Sequence, residues 1–348
     1  MTPSLASRLE GAYLADLLAQ PAALAATVAS LATVAELPAR AHATARIVLT
    51  GQGASLHAVH PLRLRLIRAG RTAFVVETAE LLYAQSALLD PRTLVIAVSQ
   101  SGRSAETVAL LDEVRARPAR PVVLGITNDA ESPLPRRADA AIVLRAGAEH
   151  SVSCKTYLAT LAALEWLGGA LCGANAGPML AELHQAALAV QAYYDDWQTK
   201  VAYLARELTP LRHLFLTGRG PSLAAVAAGA IILKESTRFP AEGMSTPEFR
   251  HGLFELINPG LHALVFAGDP AIAALNESLV LDVRRLGGRA VLIGENSDPG
   301  PFRLPAVPER LRPMMEMLPV QLLSLALAAR SGRVPGEFER AAKVTVVL

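Results

Sequence analysis

Residues 46–55 read RIVLTGQGAS and residues 213–222 read HLFLTGRGPS. Each is a short apolar run, then T-G-x-G-x-S, then an Ala/Leu-rich stretch of helical character. Two such openings in one chain point to a duplicated domain. An apolar strand that turns through glycine into a helix is the first unit of a parallel α/β sheet.

Working outward from the first opening, further apolar runs follow at 73–77 (AFVVE), 94–98 (LVIAV), 122–126 (VVLGI) and 140–144 (AAIVL). Helical patterns separate most of them. Short, near-continuous apolar strands of this kind predict a parallel sheet covered on both faces. Beyond the second opening, ALVFA (263–267), RAVLI (289–293) and KVTVV (343–347) play the same part. The stretch 179–207 has helical spacing without Gly or Pro and predicts one or two connecting helices. Segment 294–313, rich in Pro and Gly, predicts loop. The expected organisation is a first domain with N-terminal helices over 1–178, connecting helices over 179–207, and a second domain over 208–348.

The chain has 348 residues, of which 52% are hydrophobic and 18% charged, so two sizeable cores are expected. Net charge is +2, which gives no reason to expect a nucleic-acid partner. Cys154 and Cys172 are too few for a disulfide framework and lack metal spacing. The opening MTPSLASRLEG has no basic region followed by an apolar core, so no signal peptide is expected. Glu165 interrupts the apolar stretch 158–171, and the run 223–233 is too short to span a bilayer. The expectation is a soluble, cytoplasmic protein without a membrane partner.

Chemistry-bearing residues cluster in a few places. In LVIAVSQSGRSAETVALLDEV (94–114), a strand ends and Ser99, Gln100, Ser101, Gly102, Arg103 and Ser104 lead into a helix. Hydroxyls and free N–H groups at a helix N-terminus suit a phosphate; an ordinary serine-capped helix is the other reading. Ligands of open parallel sheets bind at the strands' carboxyl ends, which favours phosphate. Ser55 closes the first T-G-Q-G-A-S turn and is placed to reach a sugar hydroxyl or phosphate. Leu56 stands where a dinucleotide fingerprint needs its third glycine, so a nicotinamide cofactor is not expected. Glu235 ends the apolar stretch AGAIILKE; it reads either as a solvated helix-end carboxylate or, in apolar surroundings, as a proton carrier between adjacent carbons. His251 in EFRHGLFE is either a surface imidazole or a proton exchanger. Lys343 opens the last strand, as a charged edge device or as an imine-forming amine. His57 and His60 share a helix face at i, i+3, but no third ligand stands near, so no metal site is expected.

Taken together, GQGAS, SQSGRS, AGAEHSVSCKTY, TGRGPS, LKES, EFRHG and AAKVTV resemble the sugar isomerase (SIS) domain family in order and spacing, from about residue 40 onward. The likeness is to the isomerase half of glucosamine-6-phosphate synthase and to stand-alone SIS-type deaminases and fructosamine-phosphate deglycases. The resemblance implies an α/β fold of two tandem SIS domains, each a doubly wound parallel sheet flanked by helices. It implies phosphate held by Ser99, Gln100, Ser101 and Ser104 with Ser55, and sugar contact from Ser153. It implies Glu235 as proton carrier, His251 as ring opener lent across a homodimer, and Lys343 as imine former. No cofactor or metal is implied. Three departures stand out: Ile232 replaces a lysine of the synthases, AGAEHSVSCK is one residue short, and His251-Gly252-Leu253 replaces H-G-P.

The expected function is conversion of glucosamine 6-phosphate to fructose 6-phosphate and ammonia, without a glutaminase domain. A deglycase acting on a fructosamine phosphate needs the same residues. A non-catalytic sugar-phosphate sensor needs only the phosphate loop, and residues 1–40 lack the basic recognition helix of a DNA-binding version.

Overall fold

The computed structural model describes residues 9–34, 37–340 and 342–343. The chain divides into two compact units. One is made of Ala22–Glu149, Lys155–His184 and Ala341–Leu348 and holds the first sheet; the other is made of Met1–Pro21, His150–Cys154 and Gln185–Arg340 and holds the second.

Helices α1 (Ala12–Leu18), α2 (Gln20–Leu31) and α3 (Ala39–His42) precede the first sheet. Its strands are β1 (Arg46–Gly51), β2 (Ala73–Glu77), β3 (Thr93–Val98), β4 (Val122–Thr127) and β5 (Ala140–Val143). Between and after them run α4 (Gly53–Ala58), α5 (His60–Arg68), α6 (Thr78–Tyr83), α7 (Ala105–Ala116), α8 (Pro133–Arg137) and α9 (Lys155–Leu171). All pairings are parallel, in the order β2-β1-β3-β4-β5. Every residue of β3 and β4 is buried. That explains why both read as unbroken apolar runs: side chains alternate between two covered faces. On one face Val48, Val95, Ala97 and Val123 pack with Leu110, Leu111 and Val114 of α7. Each such buried side chain stabilises the fold by about 1.5–3 kcal/mol before the entropy of ordering it is counted.

Helices α10 (Ala176–Tyr194) and α11 (Trp197–Glu207) fill the expected connecting stretch. The second sheet has β6 (His213–Gly218), β7 (Ala241–Ser245), β8 (Leu261–Phe266) and β9 (Arg289–Ile293), with α12 (Leu223–Thr237), α13 (Thr246–Arg250), α14 (Pro270–Arg285) and α15 (Arg312–Ser331). Its order, β7-β6-β8-β9, is again all parallel. It repeats the first sheet's second-first-third-fourth arrangement. Phe215 of β6 meets Phe249 of α13 edge to face at 5.5 Å.

One expectation needs amendment. His57 and His60 do not share one helix: α4 ends at Ala58 and α5 starts at His60. Pro61, at the start of α5, has no N–H to continue the α4 ladder, so the helix restarts. The strand expected over 343–347 lies outside the described residues except for Lys343, which is not in a strand. Strand β7 and helix α15 were not foreseen.

Candidate functional site

Gly51 of β1 lies opposite Val98 of β3, so the turns that follow leave the sheet side by side. This is where the strand order reverses, the usual ligand crevice of an open parallel sheet. A Cβ at Gly51 would come within 2.9 Å of the Val98 carbonyl oxygen, so only glycine allows the two strand ends to sit this close. The Ser55 turn and the loop over 99–104 therefore share one edge, as the motifs require.

That loop is built tightly. Ser99 is buried, and its hydroxyl accepts from the Gly102 amide at 3.1 Å. The Ser101 hydroxyl accepts from the Arg103 amide at 3.3 Å. The carbonyl of Gln100 accepts from the Thr127 hydroxyl at 3.2 Å and from the Asn128 amide at 3.0 Å, which ties the loop to the end of β4. Gly102 has φ +61, and a Cβ there would lie 2.0 Å from Ser132 Oγ. Arg103 is exposed and paired with Asp129.

Ser104 occupies the N-cap of α7, yet its side chain caps no amide. Its hydroxyl pairs with the Thr107 hydroxyl at 2.8 Å instead. The serine-capped reading therefore fails at this helix. The twelve-residue α7 points an N-terminus without a side-chain cap at the loop. Its dipole and first-turn N–H groups favour an anion there.

The same unit brings Lys343 onto Glu149, Nζ to Oε2 at 3.1 Å. Glu149 was not singled out among the candidate residues. It lies within the quoted AGAEHSVSCKTY, but nothing in sequence connects it with a residue 194 positions away.

Glu235, His251 and Ser153 belong to the β6–β9 unit. Glu235 follows Lys234 on the exposed edge of α12, whose other residues from Ile232 to Thr237 are buried. Of the two local readings, an exposed helix-end carboxylate is the one found in the single chain. Ile232, the position where the synthases carry a lysine, is fully buried. His251 is exposed just after α13. The buried ring of Phe249 and the Arg250–Asp282 ion pair at 2.7 Å anchor that helix, leaving the imidazole outward. Ser153 is half-buried.

Residues 41–168 match the SIS domain family. The SIS match covers the sheet that carries the serine loop, and one segment matches rather than the two expected. Glutamine–fructose-6-phosphate aminotransferase (isomerizing) of Pyrococcus horikoshii is 32% identical over 319 residues, 87% of this chain and 52% of that protein. Its counterpart in Streptomyces coelicolor is 30% identical over 321 residues, 86% of this chain and 52% of that protein. The chain thus spans about half the length of these curated relatives. Among solved structures, the C-terminal domain of glucosamine-fructose-6-phosphate aminotransferase from Francisella tularensis matches with a TM-score of 0.79 at 23% identity, over 95% of this chain and 99% of that one. Glucosamine-6-phosphate deaminase from Thermotoga maritima matches with a TM-score of 0.80 at 18% identity, over 97% and 100%. At these identities the likeness is one of fold. Among the described residues, no single helix is long and apolar enough to cross a membrane.

Proposed function

We propose that this chain is a phosphosugar isomerase/deaminase that converts glucosamine 6-phosphate and water to fructose 6-phosphate and ammonia. The observation that carries the reading is the N-terminus of α7: it lacks a side-chain cap, faces a serine loop and sits at the reversal of strand order. A phosphate dianion is the ligand such a turn favours most, because it meets several N–H and O–H donors at the positive end of a helix.

In this reading Ser99, Gln100, Ser101 and Ser104, with Ser55, hold the phosphate, and Ser153 contacts the sugar. His251 moves the protons of ring opening and is lent by the partner subunit of a homodimer, consistent with its exposure in the single chain. Glu235 takes the proton from C2 and returns it to C1. The resulting C2 imine exchanges onto Lys343 and is hydrolysed, releasing ammonia. The repeated strand order supports a second, diverged SIS-type domain over 208–348, joined to the first (1–178) by the helices over 179–207.

The test is ammonia release from a panel of amino-sugar phosphates and fructosamine phosphates, with hexose 6-phosphate measured as product. Glucosamine 6-phosphate should turn over. Glu235→Gln should lower kcat by about a hundredfold or more while KM holds, the usual weight of a positioned acid/base group. Release of ammonia from no member, with phosphosugar binding retained, would leave a sensor instead.

A further inference from the structure

Glu149 is a buried carboxylate saturated with donors. Its side chain is wholly shielded from solvent. Oε1 accepts from the Thr156 amide at 3.0 Å, and Oε2 accepts from the Thr156 hydroxyl at 2.6 Å. The first of these places a negative charge in the opening turn of α9, where the dipole welcomes it. A helix cap needs no more than these two bonds. Yet Oε2 also takes the ammonium of Lys343 at 3.1 Å, from the far end of the chain. The Lys343 side chain keeps 22% of its exposure, whereas the Glu149 side chain keeps none.

We infer that Glu149 is the positioning residue for Lys343: a carboxylate fixed on α9 that sets where the tail's amine stands when it meets the open-chain sugar. The inference rests on the reading of Lys343 as the imine-forming group. A lysine has a long, flexible stem, and attack on a carbonyl demands a narrow approach. Three bonds on Glu149 turn that loose stem into a fixed one. Thr156 keeps the carboxylate itself from swinging, with donors on both oxygens. In the step concerned, the Lys343 ammonium first gives one proton to solvent, and the neutral amine then adds to the C2 carbonyl of the ketose. A C–N bond forms, and both amine hydrogens leave with the carbonyl oxygen as water.

The experiment traps that imine. Full-length protein is incubated with fructose 6-phosphate and sodium borohydride, whose hydride reduces the imine to a stable secondary amine on Lys343, located by peptide mass. Wild type should label. Glu149→Gln keeps the shape and an acceptor for the Thr156 amide but loses the charge under the ammonium. Its labelling rate and kcat should fall at least tenfold, while KM and phosphate affinity change less than twofold because the serine loop is untouched. Thr156→Val, which removes the hydroxyl donor from Oε2 without touching Lys343, should give a smaller fall of the same kind. It decides the matter if Glu149→Gln does not fold. Unchanged labelling in these variants overturns the inference and leaves the imine reading intact. A wild type that labels nowhere removes Lys343 from the chemistry and overturns both.

Discussion

The two halves treat the equivalent edge of their sheets differently. In the first, the turn after β1 and the loop after β3 present serine hydroxyls, and α7 has no side-chain cap. In the second, the equivalent places are filled by the chain's own acids. Asp269 caps α14 by accepting from the Ala271 amide at 2.9 Å. Ser222, the counterpart of Ser55, donates to Glu316 of α15 at 2.7 Å. Glu316 is fully buried, and burial pushes its carboxyl up to about 7 despite the Ser222 bond and nearby Arg312. Arg312 in turn binds the Gly268 carbonyl at 2.7 Å. One edge has a helix start without a side-chain cap, where we propose a phosphate sits; at the other the chain's own carboxylates take the serine and amide donors. The two sheets thus share a strand order while the helix starts at their edges are capped differently.

The largest expected effect sharpens the second edge. Folded Glu316 keeps its proton to about pH 7, whereas the unfolded chain releases it near 4.5. The folded state therefore binds more protons within that window, and stability falls as pH rises through it. The loss is about 3 kcal/mol at 1.36 kcal/mol per unit, and it is complete above pH 7. Urea unfolding of wild type and Glu316→Gln across pH 4–8 should differ by this slope; parallel curves would show that Glu316 does not titrate as placed.

The second prediction makes the uncapped edge resemble the capped one. Ser104→Asp puts a carboxylate at the N-cap of α7. Sugar-phosphate affinity should fall about a hundredfold, near 2.7 kcal/mol, while the melting temperature holds or rises through the new cap. Titration calorimetry and thermal melts read both quantities. Retained affinity would place the anion elsewhere.

Gly102→Ala follows. A side chain at φ +61, against Ser132, should cost about 1–3 kcal/mol of stability and weaken phosphate binding with it. Denaturant unfolding checks the first and calorimetry the second.

The smallest effect separates the two helix starts directly. Asp269→Ala should cost about 1 kcal/mol, because a working cap is lost. Ser104→Ala should change stability by less than about 0.5 kcal/mol, because its hydroxyl caps nothing. Equal losses in paired unfolding curves would erase the distinction between the halves.

Much of the frame was legible in the sequence. β1, β3, β4 and β8 announce themselves because strands covered on both faces read as near-continuous apolar runs. β7, AEGMS, was not legible. It is an edge strand paired on one side only, and Gly243 is required because a Cβ there would stand 2.5 Å from the Val226 carbonyl oxygen. α15 begins inside the segment 294–313 that reads as loop, and it is buried nearly throughout, so it shows no polar face. The serine loop was legible as a motif. Whether Ser104 capped its own helix depended on a rotamer that no motif records.

Sequence alone therefore determined the repeated strand-turn-helix openings, the parallel sheets and the serine-rich loop after the third strand, because local patterning and glycine placement govern these. Only the tertiary structure decided which acid each polar group would meet: Lys343 on Glu149, Ser222 on Glu316. Such pairs join residues 194 and 94 positions apart. Their energetics depend on burial, which exists only once the sheets and helices have packed.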